Sequence, residues 1–314
     1  MKIFVAGAAG AIGSHLVPQL VARGHEVVGT TRSVARTGAV RALGAEPVVV
    51  DALDPDSVAD AVAKAAPEVI VHQLTALSGP PDFRHVKRMA AATNRLRTEG
   101  TDHLLAAARA VGVRAFVAQS NCAWMERTGG PVADENSRIE PHPPADAESA
   151  VAALRHLEDA VTGINWADGI ALRYGGFYGP GTGMESAPDG VMAGLIRKRR
   201  FPIVGGGGGV WSLVHIADAA SATVAAIERG KRGIYHVADD EPAAVRDWLP
   251  ELARALGAKP PRRVPGWLVR MVAGKAAVDM MTRARGVSSE KAKRELGWTP
   301  RYPSWRTGFN EGLG

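Results

Sequence analysis

Three glycines, Gly7, Gly10 and Gly13, lie at intervals of three residues between a short apolar run and a segment with helical period. The apolar run (residues 2–6) predicts a strand, and the following segment (residues 12–23) predicts a helix. Glycines at such a junction allow a tight turn, let the backbone approach a bound pyrophosphate and let the helix pack on the strand. The N–H groups at the helix N-terminus attract phosphate oxygens. This arrangement predicts a dinucleotide site. Its candidate contacts are Gly7, Ala9, Gly10, Ala11, Ile12 and Gly13.

The first half of the chain alternates strand-like and helix-like segments. Helical period marks segments such as 12–23, 55–65 and 97–111. Alternation at this spacing is typical of βαβ units with helices on both faces of a parallel sheet. The sequence therefore predicts an α/β fold built on a doubly wound parallel Rossmann sheet. The predicted strands are 2–6, 26–30, 47–50, 68–72, 115–118 and 169–173.

The alternation stops near residue 174, and glycine and proline then cluster at residues 175–183. We expect residues 1–174 to form an NADP-binding Rossmann domain. A smaller, mostly helical substrate-binding lobe should contain residues 175–232 and 239–314. A strand near residues 233–238 should return to the Rossmann sheet.

The composition excludes several classes of protein. With 314 residues, 46% hydrophobic and 22% charged, the chain can bury a large core and is not disordered. No apolar run is long enough to span a bilayer. The single cysteine, Cys122, excludes an internal disulfide and a multi-cysteine zinc site, so we expect a cytoplasmic protein. The histidines show no metal spacing, and we predict no metal; His215 should bridge backbone groups.

The net charge of +6 is moderately basic. Residues 259–301 hold eleven Lys and Arg against three Asp and Glu. No nucleic-acid-binding motif accompanies this segment, so we expect a solvated basic face and no nucleic-acid partner. Recruitment of an anionic ligand is the alternative.

The end of the second predicted strand indicates the cofactor. An NAD enzyme carries a carboxylate there for the ribose 2′-hydroxyl, whereas arginine attracts a 2′-phosphate. This chain has Thr31 at that position, followed by Arg32 and, one helical turn later, Arg36. We therefore expect NADP(H) rather than NAD(H). The alternative is that Arg32 is merely solvated.

Motifs beyond the glycine loop resemble those of the extended, or atypical, short-chain dehydrogenase/reductase superfamily of the NAD-dependent epimerase/dehydratase type. They are Asp51, His72-Gln73-Leu74-Thr75-Ala76, Gly100-Thr101, Leu172-Arg173-Tyr174, Tyr178-Gly179-Pro180-Gly181, Val214-His215-Ile216 and Leu296-Gly297-Trp298. The resemblance covers nearly the whole chain and implies a nicotinamide cofactor. The cofactor contacts it adds are Asp51, Ala52, Gln73, Leu74, Thr75, Tyr174 and Gly175.

The chain departs from the superfamily's catalytic pattern. Its reductases and epimerases generally use an Asn–Ser–Tyr–Lys set, in which the tyrosine is the acid and base. By resemblance, the tyrosine position falls on Ala150 and the lysine position on Leu154. The serine position falls on Asn121, and the asparagine position falls on Arg97. All four residues are replaced.

Other residues must therefore supply the chemistry. Tyr178 follows the sixth predicted strand and could donate a proton to a reduced carbonyl, although its equivalent in the superfamily is usually structural. Ser120 and Asn121 could orient a carbonyl oxygen. Arg97 could hold a carboxylate or a phosphate if it points inward, or be solvated if it points outward. We take Tyr178, Asn121, Ser120 and Arg97 as the candidate catalytic residues.

The contacts that hold a sugar nucleotide are also absent. An asparagine common in the superfamily maps to Gly176, and an arginine maps to Trp211. A nucleotide diphosphate needs cations and donors. Several large apolar side chains suit a less polar substrate instead. These are Trp124, Met125, Phe177, Met184 and Trp211.

These observations favour an NADP(H)-dependent oxidoreductase that acts on a carbonyl or activated double bond of a small, fairly apolar molecule. The alternative is a non-catalytic NADP(H) sensor or regulatory protein, which the loss of the Tyr–Lys pair favours. An NDP-sugar epimerase or dehydratase comes third. The expected partner is a small-molecule substrate, without nucleic acid or membrane; a homodimer is compatible with this prediction.

Overall fold

The computed structural model describes residues 1–77, 86–187 and 190–314. Its strands are β1 (Lys2–Ala6), β2 (Glu26–Thr31), β3 (Glu46–Val49), β4 (Val69–His72), β5 (Ala115–Asn121), β6 (Val132–Ala133), β7 (Asp168–Tyr174), β8 (Gly176–Tyr178), β9 (Ile203–Val204), β10 (Val210–Trp211), β11 (Leu213–His215), β12 (Gly233–Val237), β13 (Ala243–Ala244), β14 (Arg263–Val264) and β15 (Gly286–Val287). Its helices are α1 (Ala11–Ala22), α2 (Thr37–Ala42), α3 (Pro55–Ala65), α4 (Val86–Arg97), α5 (Glu99–Val111), α6 (Glu148–Thr162), α7 (Val191–Arg197), α8 (Ile216–Arg229), α9 (Val245–Ala255), α10 (Gly266–Arg283), α11 (Glu290–Leu296) and α12 (Trp305–Glu311).

Within these residues, a parallel sheet of seven strands runs in the order β12-β7-β5-β4-β1-β2-β3. The strand order reverses between β1 and β4, which pair in parallel with Phe4 opposite Ile70. Sheets of this kind bind ligands beyond the carboxyl ends of the strands at such a reversal. The predicted doubly wound Rossmann fold is confirmed, and the seventh strand is the one expected near residues 233–238.

Helices cover both faces of this sheet. On one face, α1 packs against α8, and Leu16 and Leu20 of α1 are completely buried. On the other face, α3, α5 and α6 share a core with Phe4 and Phe116 of the strands. Strands buried on both faces are nearly all apolar, which explains why β1, β4 and β5 were readily predicted from the sequence.

The domain boundaries predicted from the sequence need a correction. We had assigned α8 and α11 to the substrate lobe, yet Val224 of α8 and Leu296 of α11 share one core with Ile3 and Val5 of β1. The cause is the connection from β11 to β12. A connection that returns to a parallel sheet packs its helix back onto the sheet, so α8 lies beside α1 on the same face.

The smaller lobe has a separate core. Trp248 of α9, Trp305 and Phe309 of α12, and Met281 of α10 lie together there. Helix α10 is interrupted at Gly274, whose φ of 84° is non-helical. The lobe stands beyond the carboxyl ends of β5 and β7, because the chain enters it directly after Tyr174.

Candidate functional site

The glycine loop lies between the end of β1 and the start of α1, as the sequence predicted. Gly7 has a φ of +97°, and a Cβ atom there would lie 3.0 Å from the carbonyl oxygen of Gln73. At Gly13, a Cβ atom would lie 2.5 Å from the carbonyl oxygen of Ala8. Both positions therefore need glycine for backbone reasons, since no side chain fits there.

The N-terminus of α1 has no side-chain cap. Gly10 is the N-cap residue, and no acidic residue lies in the first turn. The N–H of Gly7 donates to Thr30 Oγ1 at 3.0 Å, and the N–H of Gly10 donates to the carbonyl of Gly7 at 3.0 Å. Within the described residues, the N–H groups of Ala11, Ile12 and Gly13 have no side-chain cap, and N–H groups at this place in a helix stabilise an anion. The loop fits the pyrophosphate of a dinucleotide.

The residues after β2 lie beside this loop. Arg36 Nη2 donates to the carbonyl oxygen of Ala9 at 3.5 Å, which holds its guanidinium over the loop. Arg32 is exposed. Thr31 is buried, and its hydroxyl hydrogen-bonds with the backbone of Ser33. The end of β2 therefore presents two cations and no carboxylate.

The predicted cofactor contacts Asp51 and Ala52 follow β3. Asp51 is exposed, and its Oδ1 accepts the N–H of Leu53 at 3.0 Å, which fixes the carboxylate. Ala52 is buried, and its carbonyl oxygen lies 3.1 Å from His103 Nδ1. Both residues follow the carboxyl end of a strand, so they lie at the same edge of the sheet as the glycine loop.

Gln73 lies directly after β4 and has an unsatisfied atom. It is buried, its Nε2 donates to the hydroxyl of Tyr174 at 3.4 Å, and its Oε1 has no partner within the described residues. Leu74 donates its N–H to His72 Nδ1, and Thr75 is half-buried. A buried acceptor without a partner beside the glycine loop fits a site that a ligand completes.

Tyr174 and Gly175 differ from the other predicted cofactor contacts. The Tyr174 hydroxyl is buried against Thr223 Oγ1 at 2.7 Å, and burial raises its pKa to about 12. The N–H of Gly175 donates to the carbonyl of Val237. The side chain of Tyr174 and the N–H of Gly175 are thus used within the protein, so these two residues shape the sheet edge.

Ser120 does not face a substrate, which corrects its predicted role. It is completely buried, and its Oγ donates to Glu158 Oε1 at 2.6 Å. The same carboxylate accepts hydrogen bonds from Arg173 Nε at 2.8 Å and Nη2 at 2.7 Å. Ser120 is therefore a positioning group for the carboxyl end of β5. The sequence contained part of the signal, since Arg173 belongs to the Leu172-Arg173-Tyr174 motif.

Asn121 is the last residue of β5 and is half-buried. Its Oδ1 accepts the N–H of Ala123 at 3.1 Å, which fixes the plane of the amide. Its Nδ2 makes no hydrogen bond within the ranges that the structure describes, so it is available to donate to a ligand. Cys122 beside it is buried, and burial raises the pKa of its thiol to about 12, so it is not a nucleophile.

Tyr178 cannot act as the general acid, which corrects the sequence-based proposal. Its ring is completely buried in the lobe core, 5.3 Å from the ring of His215 and 5.2 Å from that of Phe309. Its hydroxyl lies against Gly308 and has no partner in the described part of the chain. Burial, with Asp239 nearby, raises the pKa of Tyr178. Tyr178 is the last residue of β8, and its side chain lies in the lobe core rather than in the cleft.

On α6, the positions of the superfamily's catalytic tyrosine and lysine are held by Ala150 and Leu154, which are neither acids nor bases. Leu154 is buried among Ile139, Ala147 and Val151, and Ala150 is half-buried. Trp124 packs against the same cluster. Trp211, predicted as a pocket residue, donates its Nε1 to the carbonyl of Met280 at 2.8 Å and belongs to the lobe core.

Arg97 ends α4 and is turned inward, with 9% of its surface exposed. Burial lowers its pKa to about 10, which keeps it charged near neutral pH. Thr93, one turn earlier, was not predicted; its Oγ1 accepts the N–H of Ala76 at 3.1 Å. The sequence could have indicated Thr93, because it is a polar residue four positions before Arg97, and residues at this spacing share a helix face.

A comparison with protein-family models identifies one family for the chain. The model described as the NAD dependent epimerase/dehydratase family matches residues 3–238. Within the described residues, no helix is long and apolar enough to cross a membrane.

Similar proteins include enzymes of several kinds. A Streptomyces 3-diazoavenalumate denitrifying reductase is 46% identical over 314 residues, covering 98% of this chain and 99% of the relative. A Thermus thermophilus UDP-glucose 4-epimerase in complex with NAD has a TM-score of 0.74 at 24% identity, covering 100% of this chain and 98% of that one. A human epimerase family protein with NADPH has a TM-score of 0.77 at 19% identity, covering 100% and 99%. These two structures confirm the fold.

Proposed function

Because this chain belongs to the NAD-dependent epimerase/dehydratase family, we propose that it is an NADP(H)-dependent reductase whose substrate needs no proton from a tyrosine–lysine pair. The substrate class is a small apolar compound that carries a diazo group, as in the name of the Streptomyces relative. The observation that carries the proposal is the face of α6 with Ala150 and Leu154, which offers neither an acid nor a cation.

The cofactor preference is supported by the cations after β2. Arg36 lies over the glycine loop, within 3.5 Å of Ala9, and Arg32 is exposed beside it. A guanidinium binds a phosphate through charge-assisted hydrogen bonds. Thr31 stands where a carboxylate would repel a 2′-phosphate. A cytoplasmic location, where a lone cysteine stays reduced, fits this proposal.

The proposed reaction is one that needs no general acid, since Ala150 and Leu154 of α6 supply none. A nicotinamide dinucleotide, with its pyrophosphate at the glycine loop, would supply a hydride, that is, a proton with two electrons. A carbonyl that accepts a hydride becomes an alkoxide, which needs a general acid. A diazonium, R–N2+, that accepts a hydride on its terminal nitrogen becomes neutral R–N=NH. Loss of N2 with transfer of that hydrogen to carbon leaves R–H, so atoms and charge balance without a proton donor.

The chain's own residues then have to bind and orient the substrate. Asn121 holds its amide plane through Ala123 and keeps Nδ2 available for an oxygen of the substrate. Trp124, half-buried against the Leu154 cluster, offers an aromatic surface. A diazonium held at the carboxyl end of β5 therefore needs orientation by these residues and no proton transfer from them.

A sugar nucleotide is a poorer substrate for this cleft, although sugar epimerases belong to the same family. Gly176 has no side chain to donate a hydrogen bond, and Trp211 is committed to the Met280 carbonyl. Neither residue can hold a diphosphate.

A matched pair of substrates tests the proposal. The purified protein is mixed with NADPH and either 4-carboxybenzenediazonium or 4-carboxybenzaldehyde, and both nicotinamide absorbance and N2 release are followed. We expect NADPH oxidation with one N2 released per NADPH for the diazonium, and slow or no turnover of the aldehyde. The control is the Gly10→Val variant, which corrects for direct reaction of the diazonium with NADPH. Faster reduction of the aldehyde, or equal rates for the protein and its control, would contradict the proposal.

A further inference from the structure

We propose that Arg97 binds a carboxylate of the substrate, so that the enzyme selects apolar acids over neutral compounds. This inference rests on the proposed function, because it concerns the same cleft. The Arg97 side chain is buried, and its Nε has no hydrogen-bond partner among the described residues. The same residues contain no carboxylate in ion-pair contact with it. An unpaired buried cation is costly, so the site is incomplete without an anion.

Arg173 is the other buried arginine among the described residues, and it is paired. The Arg173 side chain, 4% exposed, forms two hydrogen bonds with Glu158. The half-buried Arg127 side chain, 15% exposed, likewise lies 2.8 Å from Asp279 and 3.6 Å from Glu140. In both of these structural contacts an internal carboxylate neutralises the guanidinium. Arg97 has no such carboxylate among the described residues, and we infer that its anion is a bound ligand.

The position of Arg97 directs it to the cleft. One turn earlier on α4, Thr93 accepts the N–H of Ala76, in the segment that follows β4. Asn94 donates to Ser149 Oγ at 3.4 Å, which ties this part of α4 to the first turn of α6. Arg97 therefore lies between the carboxyl end of β4 and α6, where the strand order reverses and ligands bind.

The backbone and neighbours of Arg97 are fixed. Thr101 Oγ1 donates to the Arg97 carbonyl at 2.8 Å, and His72 Nε2 donates to Leu96 O and Thr101 Oγ1 at 3.2 and 3.1 Å. Burial lowers the pKa of His72 to about 4, so this imidazole is neutral near pH 7 and does not compete for an anion. Among the described residues around His72, the guanidinium is then the positive group at this point.

The anion is assigned to the substrate by elimination within the site. The pyrophosphate of a dinucleotide is suited by the N-terminus of α1, and a 2′-phosphate by Arg32 and Arg36. The remaining charged group is one carried by the substrate. A planar guanidinium matches a carboxylate through two parallel hydrogen bonds, and Trp124 and Leu154 suit an apolar body attached to it.

Binding of a carboxylate that is not reduced tests the proposal without turnover. Calorimetry on the protein loaded with NADP+ compares trans-cinnamate with its methyl ester. We expect cinnamate to bind at least about tenfold more tightly than the ester, because a hydrogen bond to a charged group contributes that much or more. The Arg97→Gln variant should lose this preference and keep its affinity for NADP+.

Arg95→Gln is the matched control. Arg95 is on the same helix, 56% exposed, and pairs with Glu99, so its variant should bind cinnamate as the wild type does. In thermal unfolding, cinnamate should raise the Tm of the wild type and of Arg95→Gln, and leave that of Arg97→Gln unchanged. Arg97→Lys, which keeps the charge and loses the planar fork, should recover part of the preference.

Three results would overturn the inference. Equal affinities of the wild type for cinnamate and its ester would remove the anion requirement. An equal loss in Arg95→Gln would make the effect one of general charge. Weakened NADP+ with unchanged cinnamate binding would assign the guanidinium to the cofactor. Because no step here needs a diazo group, inert diazonium with Arg97-dependent cinnamate binding would refute the proposed reaction alone.

Discussion

Glu158 on α6 and Arg173 on β7 form an ion pair 2.7 Å long, and each side chain is only 4% exposed. Ser120 donates its hydroxyl to the same carboxylate at 2.6 Å. Arg173 also donates to the carbonyl of Ser137 at 3.1 Å. This network joins α6 to β5 and β7 at their carboxyl ends, so it fixes the floor of the candidate site.

Glu158→Gln should destabilise the protein strongly. Removal of one charge from a buried pair leaves the other uncompensated, which costs about 3–5 kcal/mol. Urea unfolding should therefore show a lower midpoint with an unchanged m-value. Asp159→Asn changes the adjacent, exposed position and should shift the free energy of unfolding by no more than about 0.5 kcal/mol. Equal effects at both positions would show that the pair contributes nothing specific.

Gly10→Val should fold normally and fail to bind either dinucleotide. A Cβ atom at Gly10 would lie 3.2 Å from the carbonyl oxygen of Gly7, a contact that a small backbone shift relieves. The larger side chain would occupy the space in front of the α1 N-terminus, where the pyrophosphate is expected. Calorimetry with NADP+ and circular dichroism measure binding and fold separately. A variant that binds normally would refute the phosphate role of the loop.

Arg36→Ala should weaken NADP(H) binding by about ten- to a hundredfold and leave NAD(H) binding unchanged, because a charge-assisted hydrogen bond contributes about 1.5–3 kcal/mol. Arg32→Ala should act in the same direction. Arg41→Ala, at an exposed position on α2, is the control for a general loss of positive charge. Tighter binding of NAD(H) than of NADP(H) by the wild type would refute the cofactor preference.

Asp239→Asn should stabilise the protein at pH 8. Burial raises the pKa of Asp239 to about 8, and its Oδ2 has no partner in the described residues. Since the folded pKa lies above the unfolded value near 3.9, the folded state binds more protons between these values. Stability therefore falls as the pH rises from about 4 to about 8.

The Asp239→Asn variant should lack that decline and gain about 1–3 kcal/mol at pH 8, because its side chain cannot take up the buried negative charge. Urea titrations from pH 5 to 9 measure it. Asp240→Asn is the control, since Asp240 is 42% exposed and paired with Lys293. A decline of stability with pH that persists in Asp239→Asn would place its origin elsewhere.

The fold was predictable because its signals are local. Residues 2–6 and 233–237 are apolar runs of strand length next to glycines, and they form β1 and β12 as expected. The packing of α8 on α1 was missed because it depends on a partner some two hundred residues away in the chain. Helical period gives the face that Val224 and Ile227 share, and it does not say what covers it.

The candidate site, too, was predictable only where its signals are local. The glycine loop could be predicted from spacing alone, since the positive φ of Gly7 and the close contact of Gly13 with Ala8 are local features of the turn. The roles of Ser120 and Tyr178 could not, because a hydroxyl's function depends on which face of a strand it occupies and what lies opposite. Ser120 has Glu158 opposite, and Tyr178 has Gly308. Both are long-range contacts that no spacing rule encodes.

Tyr178→Phe should leave turnover unchanged within about twofold, in contrast to the loss of about 10²–10⁴-fold that removal of a general acid causes. The hydroxyl is buried against Gly308 and has no partner among the described residues, so it can reach no substrate. Its removal should keep or slightly raise the free energy of unfolding, because an unsatisfied buried hydroxyl is unfavourable. Tyr174→Phe is the contrasting variant. It loses the 2.7 Å hydrogen bond to Thr223, so its stability should fall by about 0.5–1.5 kcal/mol. Steady-state rates and urea unfolding of both variants give the comparison. A hundredfold loss of kcat in Tyr178→Phe, with NADP(H) binding intact, would restore Tyr178 as the proton donor and remove the reason to expect a substrate that needs none.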